Sequence, residues 1–279
     1  MTLCKLRCFG LALLTLALAP GALTGCLPAD TRPEPGSIAT SVVGETAIEG
    51  GFSTTDGWDI VFDEFLISLG EIGLEGDDCN PYAESDYLRI LDMREPGAQR
   101  LNLMHALGTC EFSFLFEDPS ADAVLGSGVD EADKDRMRTA GSDPFVEQSG
   151  VALYVAGSAV RADERYRFEW SFRHNLEYTD CGTVEFESGA SDEVEIRVRG
   201  QVLFQSGLDD DAPLQFDEYA SADTDADGNV TLEELHSVSL PSGTDFTTLG
   251  ERLYLGLVPE VPRFRNSDAC VAAEPEDDF

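Results

Sequence analysis

The sequence predicts a mainly β protein: an antiparallel β-sandwich-like domain over residues 38–207, followed by a small helical segment over residues 208–279. Short segments in which apolar and polar residues alternate recur as far as Val198. Gly, Asp and Ser residues, which favour turns, separate these segments. After Ser206 the spacing of apolar residues changes from two to three and four, as expected for helices.

The alternating segments place aromatic and aliphatic side chains on one face and charged side chains on the other. Their apolar members are Trp58, Ile60 and Phe62; Phe65, Ile67 and Leu69; Cys110, Phe112, Phe114 and Phe116; Val151, Leu153 and Val155; Tyr166, Phe168, Trp170 and Phe172; and Val194, Ile196 and Val198. The change of parity after Phe62 predicts a β-bulge near Asp63 and Glu64. An aromatic face could bind carbohydrate, but a charged opposite face is more typical of a sheet packed on a core.

Helical spacing occurs within the β region and again near the C-terminus. Residues 129–137 predict a helical insert between strands. The C-terminal helices are predicted from Phe216, Tyr219 and Ala220; from Leu235 and Val238, ended by Pro241 and Gly243; and from Phe246, Leu249, Leu253 and Leu257. Residues 208–212 are predicted to be an acidic linker, and the tail beyond Cys270 a disordered acidic end.

The first 25 residues are predicted to be a signal peptide. Lys5 and Arg7 precede an apolar run that is too short to span a bilayer. The run ends in Leu23-Thr24-Gly25-Cys26, which resembles the lipobox of bacterial lipoproteins. The resemblance implies cleavage before Cys26, lipidation of its sulfur and new amino group, and a tether over residues 26–37. An ordinary secretory signal is the alternative.

Because Leu27 rather than Asp follows the cysteine, the resemblance also implies that the protein is anchored in the outer membrane, on either its periplasmic or its surface side. The membrane is therefore an expected partner through Cys26, since several acyl chains give a stable anchor.

Removing residues 1–25, which carry two positive charges and no acids, leaves 254 residues with a net charge of −38. Such a charge repels phosphate backbones, so nucleic-acid binding is not expected. We expect a monomer, and the sequence indicates no protein or glycan partner.

The body of the chain keeps four cysteines after Cys4 and Cys8 leave with the signal and Cys26 takes lipid. An even number in an oxidising compartment predicts two disulfides among Cys79, Cys110, Cys181 and Cys270. Three pairings are possible. Pairing Cys79 with Cys110 and Cys181 with Cys270 is favoured, because each bond would then tie a loop or tail to a strand.

The segment with the most specific motif is residues 223–234, Asp-Thr-Asp-Ala-Asp-Gly-Asn-Val-Thr-Leu-Glu-Glu, here called the acidic loop. It has the spacing of an EF-hand calcium loop, with acids at positions one, three, five and twelve and Gly228 at position six. The predicted Ca²⁺ ligands are the side chains of Asp223, Asp225, Asp227, Thr231 and Glu234 and the backbone carbonyl of Asn229. Thr231 would act directly or through water.

EF-hands usually occur in pairs, in which the residue at position eight, here Val230, faces the partner loop. No second loop is visible: Asp130 to Asp135 lacks the glycine, and Asp209 to Asp211 is a plain acidic run. A single extracytoplasmic loop predicts a weak structural site, with a dissociation constant of about 10⁻⁴ to 10⁻³ M. A solvated loop without metal is the alternative.

The β region, notably residues 57–66, resembles uncharacterised envelope lipoproteins of Gram-negative bacteria, from Ile38 to Cys270. That resemblance implies a compartment and a fold class and carries no activity. We therefore predict a non-enzymatic, lipid-anchored calcium-binding protein without catalytic residues.

Two alternatives remain open. One is an envelope hydrolase that uses some of the 54 acidic residues. The other is a copper- or zinc-handling protein, which would require His174 to meet His105 in space. His236 is the third histidine, and none of the three lies in a zinc-binding spacing. The sequence has no Gly-x-Ser-x-Gly nucleophile motif, and Gly126-Ser127-Gly128 lacks the context of a phosphate loop.

Overall fold

The computed structural model describes residues 33–83, 85–141, 149–265 and 270–275. The predicted signal peptide, lipobox and Cys26 lie outside these residues. No helix in the described ranges is long and apolar enough to cross a membrane.

Fifteen strands make up the largest share of the regular structure in the described chain. They are β1 (Gly36–Gly44), β2 (Phe52–Ser53), β3 (Asp59–Glu75), β4 (Asn80–Pro81), β5 (Ser85–Asp92), β6 (Gln99–Glu117), β7 (Val124–Leu125), β8 (Leu153–Arg161), β9 (Glu164–Phe172), β10 (Asn175–Thr179), β11 (Thr183–Phe186), β12 (Ser191–Val198), β13 (Asn229–Val230), β14 (Pro262–Phe264) and β15 (Val271–Ala273). The mainly β prediction is therefore confirmed.

The helical elements are short. They are α1 (Thr46–Gly50), α2 (Glu131–Thr139), α3 (Asp217–Ala220), α4 (Leu232–Ser237) and α5 (Leu249–Glu251), with 3₁₀ turns at Gln201–Phe204 and Val258–Glu260 and a π-helix at Arg252–Leu257. The predicted insert at 129–137 begins later, at Glu131, because the Asp130 side chain accepts from the backbone NH of Ala132 and Asp133 and caps the helix. The predicted helix from Phe246 begins at Leu249, where Thr248 provides the cap.

The strands form one curled, mixed sheet rather than the antiparallel β-sandwich-like arrangement that the alternation predicted. Its main path runs β13-β9-β8-β3-β6-β1-β12-β14. Most neighbours are antiparallel, but β1 pairs with β12, β5 with β7 and β9 with β13 in parallel. Alternation reveals which face of a strand is buried and not the direction of its neighbour, so these parallel pairs could not be predicted.

The curl comes from two long strands that change partners along their length. The first half of β6 pairs with β1, and its second half pairs with β3 on one side and with β10 and β11 on the other. Gly108, between the halves, has a φ of +91° and lies so close to the Asp78 carbonyl that a Cβ atom would meet it at 1.8 Å. In β3, the register shifts between Phe62 and Glu64, which confirms the predicted bulge.

The aromatic face of the sheet is buried, as predicted. Trp58, Phe62, Trp170 and Phe204 are almost completely excluded from solvent in one large core. The C-terminal residues contribute to the same core; among them are Phe216, Tyr219, Leu235, Leu249, Leu253 and Leu257. A second, smaller core lies under α2 and includes Leu66, Ile90, Met137 and Tyr154.

Both favoured disulfides are present, Cys79–Cys110 and Cys181–Cys270. The first ties the turn before β4 to the centre of β6, and the second ties the C-terminal strand β15 to the end of β10. The predicted acidic linker is also fixed to the sheet, because Asp210 accepts hydrogen bonds from Arg199 (3.2 Å) and Arg263 (3.1 Å).

Candidate calcium site

The acidic loop brings three of its predicted ligands together. Carboxylate oxygens of Asp223, Asp225 and Asp227 lie within 4.8 Å of one another. Among the described residues, this is the only group of three or more histidine, cysteine or acidic side chains close enough to share an ion. Ca²⁺ prefers oxygen ligands of this kind, and three carboxylates supply half or fewer of the six to eight that it takes.

Hydrogen bonds within the acidic loop hold these carboxylates inward. Asp223 accepts from the backbone NH of Asp227 (3.1 Å) and of Gly228 (3.0 Å), and Asp225 accepts from that of Asp227 (3.2 Å). Gly228 has a φ of +79°, in the left-handed region that favours glycine. The loop therefore has the sharp central bend that the spacing predicted.

The fourth predicted carboxylate, Glu234, is not in this group. Its carboxylate accepts from the backbone NH of Thr231 (2.9 Å), and its own backbone NH donates to the Thr231 hydroxyl (3.2 Å), which together form a capping box at the start of α4. The Thr231 hydroxyl also donates to the Glu234 carboxylate (2.8 Å). Thr231 is thereby occupied as a cap as well. Closing a calcium site around the three aspartates would require Glu234 to leave Thr231 and turn towards them.

The charges of the acidic loop repel one another. The backbone NH of Asp227 lowers the pKa of Asp225, but slight desolvation and the charges on Asp227 and Glu234 outweigh it, and the pKa is raised. The pKa of Asp227 is lowered, because the side chain and backbone of Asn229 both donate to its carboxylate.

The C-terminal half of the acidic loop is part of the sheet. Asn229 and Val230 form β13, which pairs in parallel with Arg167 and Phe168 of β9. The indole NH of Trp170 donates to the Val230 carbonyl (2.8 Å), and the Arg167 backbone NH donates to that of Gly228 (2.8 Å). Strand β9 therefore occupies the place that a second calcium loop would take beside position eight.

The N-terminal side of the acidic loop is anchored through α3. One oxygen of Asp56 accepts from the backbone NH of Phe216 and of Asp217, both at 2.7 Å. The indole NH of Trp58 donates to Asp217 (3.0 Å), and the Tyr219 hydroxyl donates to the Leu203 carbonyl (2.7 Å). Burial tends to raise the pKa of Asp56, but hydrogen bonds from Thr54 and from these two backbone NH groups outweigh it, and the pKa is lowered.

These anchors were not predicted from the sequence. A buried tryptophan NH needs a hydrogen-bond acceptor, and that requirement was the available signal for Trp58 and Trp170. Nothing in the local pattern of Asp56 distinguishes it from the other acids.

No histidine belongs to a group of three or more potential metal ligands among the described residues. His174 is buried between the rings of Phe116 and Tyr254 and is hydrogen bonded through Nε2 to the Tyr254 carbonyl (3.1 Å). Burial lowers its pKa to about 4, so the ring is neutral at pH 7. His105 lies on β6, and the His236 ring lies 3.5 Å from the Thr248 hydroxyl.

The most strongly shifted carboxyl in the described chain lies outside the acidic loop, at Glu117 near the end of β6. Burial and the nearby charges of Glu71 and Asp118 raise its pKa to about 7, although Arg173 opposes them. The unfolded chain ionises this group near 4.5. Its contribution to stability is thus fully present below pH 4.5 and is lost as the pH rises through 7.

Replacing Glu117 with Gln should therefore stabilise the protein at pH 8 and not at pH 4.5. The full shift corresponds to about 3 kcal/mol, and because the side chain is only half-buried we expect about 1 to 2 kcal/mol. Urea unfolding at both pH values in the presence of chelator measures this change in the free energy of unfolding. Glu185→Gln, at an exposed position on the neighbouring β11, controls for the loss of one negative charge. Equal gains for the two variants at pH 8 would contradict the prediction.

No family model, curated protein or solved structure shows significant similarity to this chain.

Proposed function

We propose that this protein is a lipid-anchored, extracytoplasmic calcium-binding protein without enzymatic activity, in which Ca²⁺ fixes the C-terminal segment to the β domain. The observation that carries the proposal is the acidic loop: three aspartates converge in a motif of EF-hand spacing, and hydrogen bonds tie the loop and its leading helix to Trp170 of β9 and to Asp56 in the turn before β3. A solvated acidic turn would need neither feature.

The compartment is proposed from the lipobox near the N-terminus and from the two disulfides. Leu23 to Cys26 match a lipobox, and the absence of Asp at position 27 favours the outer membrane. The two disulfides are typical of proteins that fold outside the cytoplasm. Extracytoplasmic calcium often reaches concentrations at which a weak site is filled, so a site with low affinity suits a structural role.

Calcium binding would change the hydrogen bonds of Glu234. Glu234 would exchange its bonds to Thr231 for the ion, closing the site from the first turn of α4. The ion would offset the repulsion among four carboxylates. Because β13 is part of both the acidic loop and the sheet, this closure would stabilise the pairing of β13 with β9.

Calcium should therefore raise the stability of the protein. With a dissociation constant of about 0.3 mM, about 5 mM Ca²⁺ adds about 1.7 kcal/mol to the free energy of unfolding, provided that the unfolded chain does not bind calcium. For a domain of this size we expect the melting midpoint to rise by about 3 to 7 °C. Differential scanning calorimetry with calcium and with chelator measures the rise, and titration calorimetry measures the affinity.

The matched variants are Glu234→Gln and Glu233→Gln, which each remove one charge from the first turn of α4. The first removes the closing ligand and should abolish the calcium-dependent rise, whereas the second should retain it. Equal midpoints with calcium and chelator for the unmodified protein, together with no heat at millimolar calcium, would refute the proposal.

A further inference from the structure

A polar groove of about 680 Å³ lies beside the acidic loop, on the outward face of β8 and β9. The outward side chains of β9, which are Arg165, Arg167, Glu169 and Ser171, line its middle, because β9 lies between β8 and β13 in the sheet. On one side it is lined by small residues of β8, which are Ala156, Gly157 and Ser158, and by Asp63 of β3. On the other side it is lined by the acidic loop, through Asp227, Asn229 and Thr231.

Two arginines in this groove are available to a ligand. Arg165 and Arg167 are both exposed, and within the described ranges neither guanidinium has a salt-bridge or hydrogen-bond partner. The chain has 54 acids for 18 lysines and arginines, and by contrast Arg161, just before β9, and Arg173, just after it, are both paired with carboxylates. Being two residues apart on one face of a strand, Arg165 and Arg167 lie roughly 7 Å from each other. They could each bind a carboxylate through two hydrogen bonds.

The remaining polar groups of the groove fit hydroxyl groups. The carboxylates of Asp63 and Glu169 can accept hydrogen bonds from hydroxyl donors, and the Tyr154 hydroxyl already donates to Glu169 at 2.8 Å. Ser158 lies directly opposite Arg167 across the strand pair, where its hydroxyl can donate or accept.

This mixture of groups discriminates between classes of ligand. A neutral glycan can accept hydrogen bonds from the arginines but leaves their charges without a counter-charge, and an acidic peptide offers Asp63 and Glu169 no donors beyond its backbone NH groups. A sugar acid satisfies both sets, since its carboxylates match the arginines and its hydroxyls match the acids and serines. The chain's net charge of −36 repels polyanions elsewhere on its surface, so binding would depend on this local arrangement.

We propose that this groove binds uronic-acid-containing polysaccharide in a calcium-dependent manner. The inference rests on the proposed function, because an empty acidic loop would place the carboxylate of Asp227, with those of Asp223 and Asp225 behind it, beside an anionic ligand. A bound Ca²⁺ reverses that repulsion. Thr231, at a ligand position that water can fill, lies on the groove side and would let a sugar oxygen approach the ion.

The test is titration calorimetry of the purified protein with short oligosaccharides of galacturonate, mannuronate and glucuronate, too short to form calcium gels. We expect binding of at least one of them in calcium and a loss of about tenfold or more in affinity with chelator. The double variant Arg165→Gln/Arg167→Gln should weaken binding about tenfold or more, since it removes charged hydrogen-bond donors. The matched control is Arg100→Gln/Arg138→Gln, which removes two exposed arginines outside the groove.

The outcomes separate this inference from the proposed function. If the protein and the groove variant bind calcium equally but none of the three uronates binds, the groove inference is wrong and the calcium site stands. The groove inference is also wrong if a neutral trisaccharide binds as well as the uronates, or if the two double variants bind them equally. If calcium itself does not bind, the proposed function fails, and calcium-dependent recognition fails with it.

Discussion

Replacing Cys181 and Cys270 together with alanine is expected to lower the free energy of unfolding by about 4 to 5 kcal/mol, the largest effect of any single link in this fold. The bond closes a loop with a sequence separation of 89 residues. Closing such a loop lowers the conformational entropy of the unfolded chain, which stabilises the folded state relative to it. It also fixes β15, whose residues are exposed and which pairs only with β10 among the described strands. Without the bond, β15 has little buried surface to hold it.

The Cys79–Cys110 pair provides the comparison. Its sequence separation is 31 residues, so the same reasoning gives about 3.5 kcal/mol for its double alanine variant. Urea unfolding of both variants in chelator measures the difference, which we expect to be about 1 kcal/mol. If removing the Cys79–Cys110 bond lowered the free energy of unfolding more than removing Cys181–Cys270, the entropic account of the two bonds would be wrong.

Trp170→Phe is expected to lower stability by about 2 kcal/mol and also to weaken calcium binding. Trp170 is fully buried against Phe168, Phe204 and Tyr219, and its indole NH donates to the carbonyl of Val230 at position eight of the acidic loop. Phenylalanine keeps most of the packing but removes the donor and leaves a small void, each costing about 1 kcal/mol. Since the lost bond joins the sheet to the acidic loop, the loop becomes less well ordered for the ion.

The expected change in calcium affinity distinguishes Trp170→Phe from an ordinary core mutation. We expect the calcium dissociation constant to rise about fivefold, corresponding to a coupling free energy of about 1 kcal/mol. Phe112→Leu is the control, because Phe112 is buried against Phe264 and makes no ring contact with the residues around the acidic loop. It should lower stability without changing the calcium affinity. An unchanged affinity in Trp170→Phe would show that β9 does not support the loop.

The sequence predicted the faces of the strands better than their partners. The alternation from Trp58 onward located the buried side of β3 and even the bulge after Phe62, because both depend on the residues of one strand. The parallel pairing of β1 with β12 joins residues more than 150 positions apart, and no local pattern encodes it. The curl at Gly108 likewise depends on the approach of Asp78, which is distant from it in sequence.

The candidate site shows the same division. The spacing of Asp223, Asp225 and Asp227 and the bend at Gly228 are local properties, and the structure has them as predicted. The position of Glu234 could not be predicted, since a glutamate three residues after Thr231 suits a capping box as well as a calcium ligand. Arg165 and Arg167 were visible only as part of a charged face; their proximity to the acidic loop follows from the pairing of β9 with β13.

The hydrogen bonds of the two tryptophans have one further consequence. The chain contains only these two tryptophans. Their indole groups donate to opposite ends of the segment formed by α3 and the acidic loop: Trp58 to Asp217 at the start of α3, and Trp170 to Val230 in β13. Tryptophan emission from the native protein thus originates entirely from side chains that contact the acidic loop or its leading helix. We therefore expect the proposed binding of calcium to change this emission, without a dye being attached.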